Sequence, residues 1–163
     1  MRSAITGHVV LSTIHTNDAV GTIERLEDIG VEPYLVASAL RGIVSQRLLR
    51  RVCPDCRQAY TPEPEELQDL GIEETEGVQL YRGTGCPNCF NTGYRGRTAV
   101  VEMLSMNSVL RRMVTERRPR SELEKELKKP ENGFVSLREN AVKLALEGVT
   151  TREEILRVIN EED

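Results

Sequence analysis

Four cysteines fall into two pairs, "CPDC" at 53–56 and "CPNC" at 86–89, separated by 29 residues. Two residues between the cysteines of a pair let one tight turn aim both sulfurs at a single ion, while amides of the turn donate hydrogen bonds to the thiolates. Two such turns complete a tetrahedral four-sulfur site, the closed arrangement of structural zinc. The separation exceeds the usual ribbon insertion of about 15 to 20 residues, yet a longer excursion adds little loop-closure entropy. Cys53, Cys56, Cys86 and Cys89 are therefore the candidate metal ligands. Four unliganded thiols and two separate redox dithiols are the alternatives, and two matching knuckles are hard to explain without a shared metal. A site closed by four protein ligands leaves no position for water or substrate, so such a zinc holds structure and catalysis must be sought elsewhere.

The other groups suited to chemistry are the two histidines, His8 and His15, in "TGHVVLSTIHTNDA" at 6–19. The stretch "HVVLSTIHT" is short, rich in β-branched residues and almost continuously apolar, as expected of a strand buried on both faces of a parallel sheet. On that strand the odd separation turns the histidines to opposite faces. At about 3.3 Å per residue they lie roughly 23 Å apart and cannot share one metal. A hydrogen-bonded structural role suits His8 slightly better than a chemical one. His15 falls at the carboxyl end of the strand, where open α/β sheets bind ligands. With Thr13, Thr16 and Asn17 beside it, its imidazole could donate a hydrogen bond to a phosphate. No nucleophile, general base or phosphate loop can be completed: the pattern G-x-x-x-x-G-K-[ST] is missing, and the glycines form no dinucleotide fingerprint.

These groups need a scaffold. Asn17 or Asp18 suits the N-cap of a helix carrying Val20, Ile23, Leu26 and Ile29, with Gly30 as its stop. Pro33 suits the first turn of a second helix, and "SQRLLRRVC" either continues that helix or opens a strand. The acidic stretch "TPEPEELQDLGIEETEGVQ" reads as a surface loop with one short helix, and "RTAVVEML" as a strand. Apparent capping boxes at Ser121, Ser136 and Thr151 predict a helical tail whose apolar residues, among them Leu123, Leu127, Leu137, Leu144, Ile155 and Ile159, form core.

Length and composition bound the rest. At 163 residues, with 39% hydrophobic and 29% charged residues, the chain is a globular domain, alone or with a smaller appendage, and without Trp its core is mainly aliphatic. The net charge of −4 gives no overall drive toward nucleic acid or anionic lipid, and "RLLRRVC" and "LRRMVTERRPR" read as solvated basic faces. No apolar run approaches the roughly 20 residues of a membrane span, and the amino end is unlike a signal peptide. The expected location is cytoplasmic, where a reducing environment favours a metal over two disulfides.

"TGHVVLSTIHTNDA" resembles the histidine box of the ATPases of the type II secretion and type IV pilus-assembly superfamily. The resemblance continues in order through "GVEPYLVASALRGIVSQRLLRRVCPDC", "GCPNCFNTGYRGRTAVVEML" and "GVTTREEILRVI". The paired knuckles resemble the zinc-binding insertion of the secretion and pilus-extension branches, which the retraction ATPases generally lack. The resemblance implies an α/β fold: residues 1–52 as the last part of a RecA-like P-loop ATPase core, 53–103 as a tetracysteine zinc element, and 104–163 as a helical subdomain. It further implies a homo-hexamer peripheral to the inner membrane, working with secretion or pilus platform proteins in protein transport, with ATP and Mg as cofactors of the full-length protein. His8 and His15 match the two histidines of the box and are the catalytic candidates, with His15 near the γ-phosphate. Arg47 matches a basic position close to the nucleotide. The family's phosphate loop, Asp box and Walker B segment would precede Met1. The chain therefore reads as a carboxyl-terminal portion, expected by itself to bind and hydrolyse no appreciable ATP. The alternative is a zinc-ribbon module for protein or nucleic acid, similar in "CPNCFNTGYRG" to knuckles of chaperone and repair proteins. The acidic loop and net charge weigh against nucleic acid.

Overall fold

A computed structural model describes residues 1–73 and 76–159. After a short helix α1 (Arg2–Ile5), the chain enters α2 (Ala19–Asp28) at Asp18, whose carboxylate accepts a hydrogen bond from the Gly21 amide at 2.7 Å. That bond satisfies one of the amides a helix start leaves without a partner. Ala19, Val20 and Ile23 bury one face, and the helix stops before Gly30, whose φ of 86° reverses the chain. Pro33 opens α3 (Pro33–Ala39), where a missing amide costs nothing. "SQRLLRRVC" resolves as strand, within β1 (Gly42–Val52).

The acidic stretch supplies α4 (Pro64–Leu70) and is flanked by β2 (Arg57–Tyr60) and β3 (Leu80–Gly83), which pair antiparallel from Arg57 opposite Gly83 to Tyr60 opposite Leu80. Glu63 and Glu66 form a reciprocal capping box at the start of α4, and Gly71 in the left-handed region ends it. β4 (Tyr94–Ser105) pairs with β1 in a second two-stranded sheet. The chain ends in α5 (Ser108–Thr115), α6 (Arg120–Leu127), α7 (Leu137–Leu146) and α8 (Arg152–Ile159).

These elements form two compact units that do not follow chain order. At 11 and 12 residues, β1 and β4 are about twice the usual strand length, enough for each to contribute to both units. The first unit comprises Met1–Gln46 and Val101–Ser136, with a core of residues such as Val20, Ile23, Val36, Leu104, Leu110 and Leu123. Within it, buried Glu102 accepts a 2.6 Å hydrogen bond from the Ala19 amide, and Arg120 pairs with Asp18, Glu24 and Glu124. The second comprises Arg47–Val100 and the described part of Leu137–Asp163, with a core of Leu49, Leu70, Leu80, Val100, Ala141 and Ile155.

Three local expectations change. The run "HVVLSTIHT" is irregular: Val9 and Leu11 are 92% and 93% exposed, and among the described residues no strand pairs with it. A strand apolar on both faces forms only where neighbours take its backbone groups and cover its side chains, and none of the described strands does so. The tail helices do not share one core, because α5 and α6 pack in the first unit while α7 and α8 pack in the second. Ser121 lies inside α6, whose N-cap is Pro119. Thr151 does cap α8, accepting from the Glu154 amide at 3.2 Å, but the Glu154 side chain turns instead to Arg50 and Arg157.

Candidate metal centre

Folding of the second unit brings together all four cysteine sulfurs, within 4.8 Å of one another. Cys53 and Cys86 lie 3.8 Å apart, Cys56 and Cys89 3.9 Å, and Cys86 and Cys89 3.6 Å. A disulfide needs about 2.0 Å between sulfurs. Zinc–sulfur bonds of about 2.3 Å, by contrast, put the corners of a tetrahedron about 3.8 Å apart. The spacing and the soft donor set therefore fit one tetrahedral metal ion such as zinc.

Backbone contacts hold this arrangement. The second knuckle is a single 3-10 turn, Pro87–Cys89, and the Cys89 sulfur accepts from the amides of Cys86 at 3.2 Å and Gly93 at 3.3 Å. The Cys53 amide donates to the Gly93 carbonyl at 2.9 Å, tying the first knuckle to the second. Across the tips, Asn88 and Arg95 both donate to Asp55, at 2.9 and 3.2 Å. A side chain on Gly83 would meet the Gly93 carbonyl oxygen at 2.1 Å, so this crossing of two backbones requires glycine. The cysteine spacing marked the four candidate ligands but not these supports; the glycine four residues after Cys89 was the available signal.

The electrostatics match a site built for a cation. Burial pushes the Cys56 thiol up to about 11 and raises Cys86 as well. Burial acts on Cys89 in the same sense, but the hydrogen bonds from the Cys86 and Gly93 amides outweigh it and bring that thiol down to about 6. Four thiolates this close repel one another, and a divalent cation is what allows all of them to lose their protons.

Beside the cluster, Phe90 is 89% exposed and adopts φ of 53°, a left-handed conformation unfavourable for a side chain with a Cβ. Phe90→Gly is expected to leave metal content unchanged and to raise stability by up to about 1 kcal/mol, read from urea unfolding midpoints.

The histidines lie apart from the cysteines in the chain, on the irregular segment of the first unit. Both are exposed; the His8 Nδ1 lies 3.4 Å from the Thr6 hydroxyl, and the Thr16 hydroxyl beside His15 is engaged with Thr22 at 2.7 Å. Arg47 is half-buried on β1, at the start of the second unit. No helix among the described residues is long and apolar enough to cross a membrane.

Sequence comparison supplies the context. The chain is 43% identical over 156 residues to the type IV pilus assembly ATPase PilB of Thermus thermophilus, covering 94% of this chain and 17% of that protein. It is 38% identical over 161 residues to the type II secretion system ATPase E of Vibrio cholerae, covering 99% and 31%. It is 40% identical over 161 residues to the type IV pilus assembly ATPase TfpB of Acinetobacter baylyi, covering 98% and 27%. The chain thus spans less than a third of the length of each of these relatives. The family described as type II/IV secretion system protein matches residues 1–157. With that match over nearly its whole length, the chain belongs to the type II/IV secretion system protein family.

Proposed function

We propose that this chain is the zinc-bearing, carboxyl-terminal portion of a hexameric ATPase that powers type II protein secretion or type IV pilus assembly. The observation that carries the reading is the match of nearly the whole chain to ATPases more than three times its length. In this reading residues 1–52 complete a RecA-like core, and the exposed apolar run around Val9 and Leu11 finds its neighbouring strands elsewhere in that core. His15 would lie near the γ-phosphate of ATP and Arg47 close to the nucleotide, with His8 the other histidine of the same box. Mg and the phosphate loop act from the rest of the ATPase.

Zinc on Cys53, Cys56, Cys86 and Cys89 holds the second unit together and takes no part in hydrolysis, since four protein ligands close its coordination shell. The assembly works on the cytoplasmic side of the inner membrane against secretion or pilus platform proteins.

In the full-length ATPase, His15→Ala is expected to lower kcat by about 10²-fold, the usual cost of losing one donor to transition-state charge, with zinc content unchanged. The 163-residue chain alone is expected to turn over no ATP. Tight ATP binding and turnover by the chain alone, or undiminished turnover by the His15 variant, would overturn this account.

A further inference from the structure

The second unit holds a cleft of about 240 Å³ lined by Arg51, Arg57 and Arg95 together with Val52, Pro54 and Gly148. The chain carries 26 acidic residues against 22 lysines and arginines, so a cation ordinarily finds a carboxylate close by. Elsewhere in this unit Arg50 and Arg157 pair with Glu154, and Arg152 with Asp69. In the cleft only Arg95 has such a partner, Asp55 at 3.2 Å; among the described residues no carboxylate pairs with Arg51 or Arg57.

Arg57 is nevertheless held in place. Its guanidinium stacks 5.1 Å from the centre of the Tyr81 ring and donates one hydrogen bond to the Gly148 carbonyl at 3.3 Å. Residue 148 must be glycine for this arrangement, because its φ is +73° and a Cβ there would lie 2.8 Å from the Tyr81 ring. The remaining donors of Arg57 are not used by any described carboxylate. A planar guanidinium fork matches the oxygens of a phosphate, and three of them can approach a tetrahedral dianion from different sides.

We propose that the Arg51, Arg57 and Arg95 cleft binds a phosphate group. The inference stands on the cleft and is independent of the ATPase reading. A competing role is suggested by the nearby cysteines: a divalent ion on four thiolates carries a net charge of about −2, which neighbouring arginines would offset.

The two roles separate experimentally. Inorganic phosphate is titrated calorimetrically into the whole 163-residue chain at low ionic strength, and vesicles of phosphatidylcholine with and without phosphatidylglycerol form a second arm. Saturable binding in either arm is expected, identifying free phosphate or a lipid headgroup as the source, and it should weaken as salt rises. Arg51→Ala is expected to weaken binding about tenfold or more with zinc content and melting temperature unchanged, since Arg51 has no described carboxylate partner to lose. Arg57→Lys, which keeps the charge but not the fork, is expected to weaken it as well. Absence of binding in both arms, binding unaffected by Arg51→Ala, or an Arg51→Ala variant that loses zinc while binding phosphate as before would overturn the proposal.

Discussion

Stripping the metal from the four cysteines is expected to unfold the knuckle region of the second unit. That region is built from four-residue strands and one 3-10 turn, elements too short to be stable by themselves. Its cluster of buried residues consists of Cys53, Cys56 and Cys89, with Cys86 packed against them, so little apolar surface replaces the metal when it leaves. Structural zinc contributes about 10 to 16 kcal/mol of apparent binding free energy in small zinc-finger peptides, comparable to or above the roughly 5 to 15 kcal/mol net stability of a whole domain. Cys53→Ser, or a strong chelator, is therefore expected to cost at least about 5 kcal/mol in urea unfolding. Native mass spectrometry should show one metal per chain, lost in the variant. A metal-free protein of equal stability would refute the zinc assignment.

The second large effect is expected at Glu154, whose side chain is fully buried on α8. Its carboxylate accepts from the Arg50 amide at 2.9 Å, the Arg50 Nε at 2.7 Å, and the Arg157 Nη2 at 2.6 Å. Arg50 in turn stacks 4.2 Å from the centre of the Tyr94 ring, and the Tyr94 hydroxyl meets Thr151 at 2.8 Å. One carboxylate thus fixes the start of α8 to the strand that leads into the first knuckle. Glu154→Ala removes the acceptor of the part-buried Arg50 amide and of the half-exposed Arg50 and Arg157 guanidiniums, which can turn to water, and is expected to cost about 1 to 3 kcal/mol.

The same group makes stability depend on pH. Burial alone would raise the Glu154 carboxyl, but the hydrogen bonds from Arg157 and Arg50 prevail and bring it down to about 2. A depressed folded value contributes stability that is fully present above the ordinary carboxylate range, near 4.3, and is lost as pH falls from there through about 2. Urea unfolding of the native chain and of Glu154→Gln should therefore show a gap at pH 7 that narrows between pH 4 and pH 2. A gap independent of pH would show that Glu154 acts by shape rather than charge.

Much of this architecture was legible because it depends on neighbours in sequence. Asp18, Gly30 and Pro33 act within one turn of their own positions, so the bounds of α2 and the start of α3 could be read directly. The C-x-x-C turns are equally local, and the four-cysteine cluster follows once the two turns meet. The exposed run at Val9–Leu11 went the other way, since composition indicates a strand but strand formation needs partners that periodicity does not report. Ser121 shows the same limit at smaller scale: its box pattern is intact, yet the helix begins two residues earlier than that box implies because Pro119 supplies the extended N-cap backbone.

The sequence by itself determined the four cysteines as candidate metal ligands, the cap and stop of α2 and the start of α3, the aliphatic character of the core, and the relationship to secretion and pilus ATPases carried by its ordered motifs. Only the tertiary structure decided that the tail helices serve two cores, that Glu154 gathers Arg50 and Arg157, and that Arg51, Arg57 and Arg95 share a cleft. The physical reason is range: caps and knuckles satisfy groups a few residues away, whereas Glu154 reaches across 104 residues and the cleft joins residues as far apart as Arg51 and Val149.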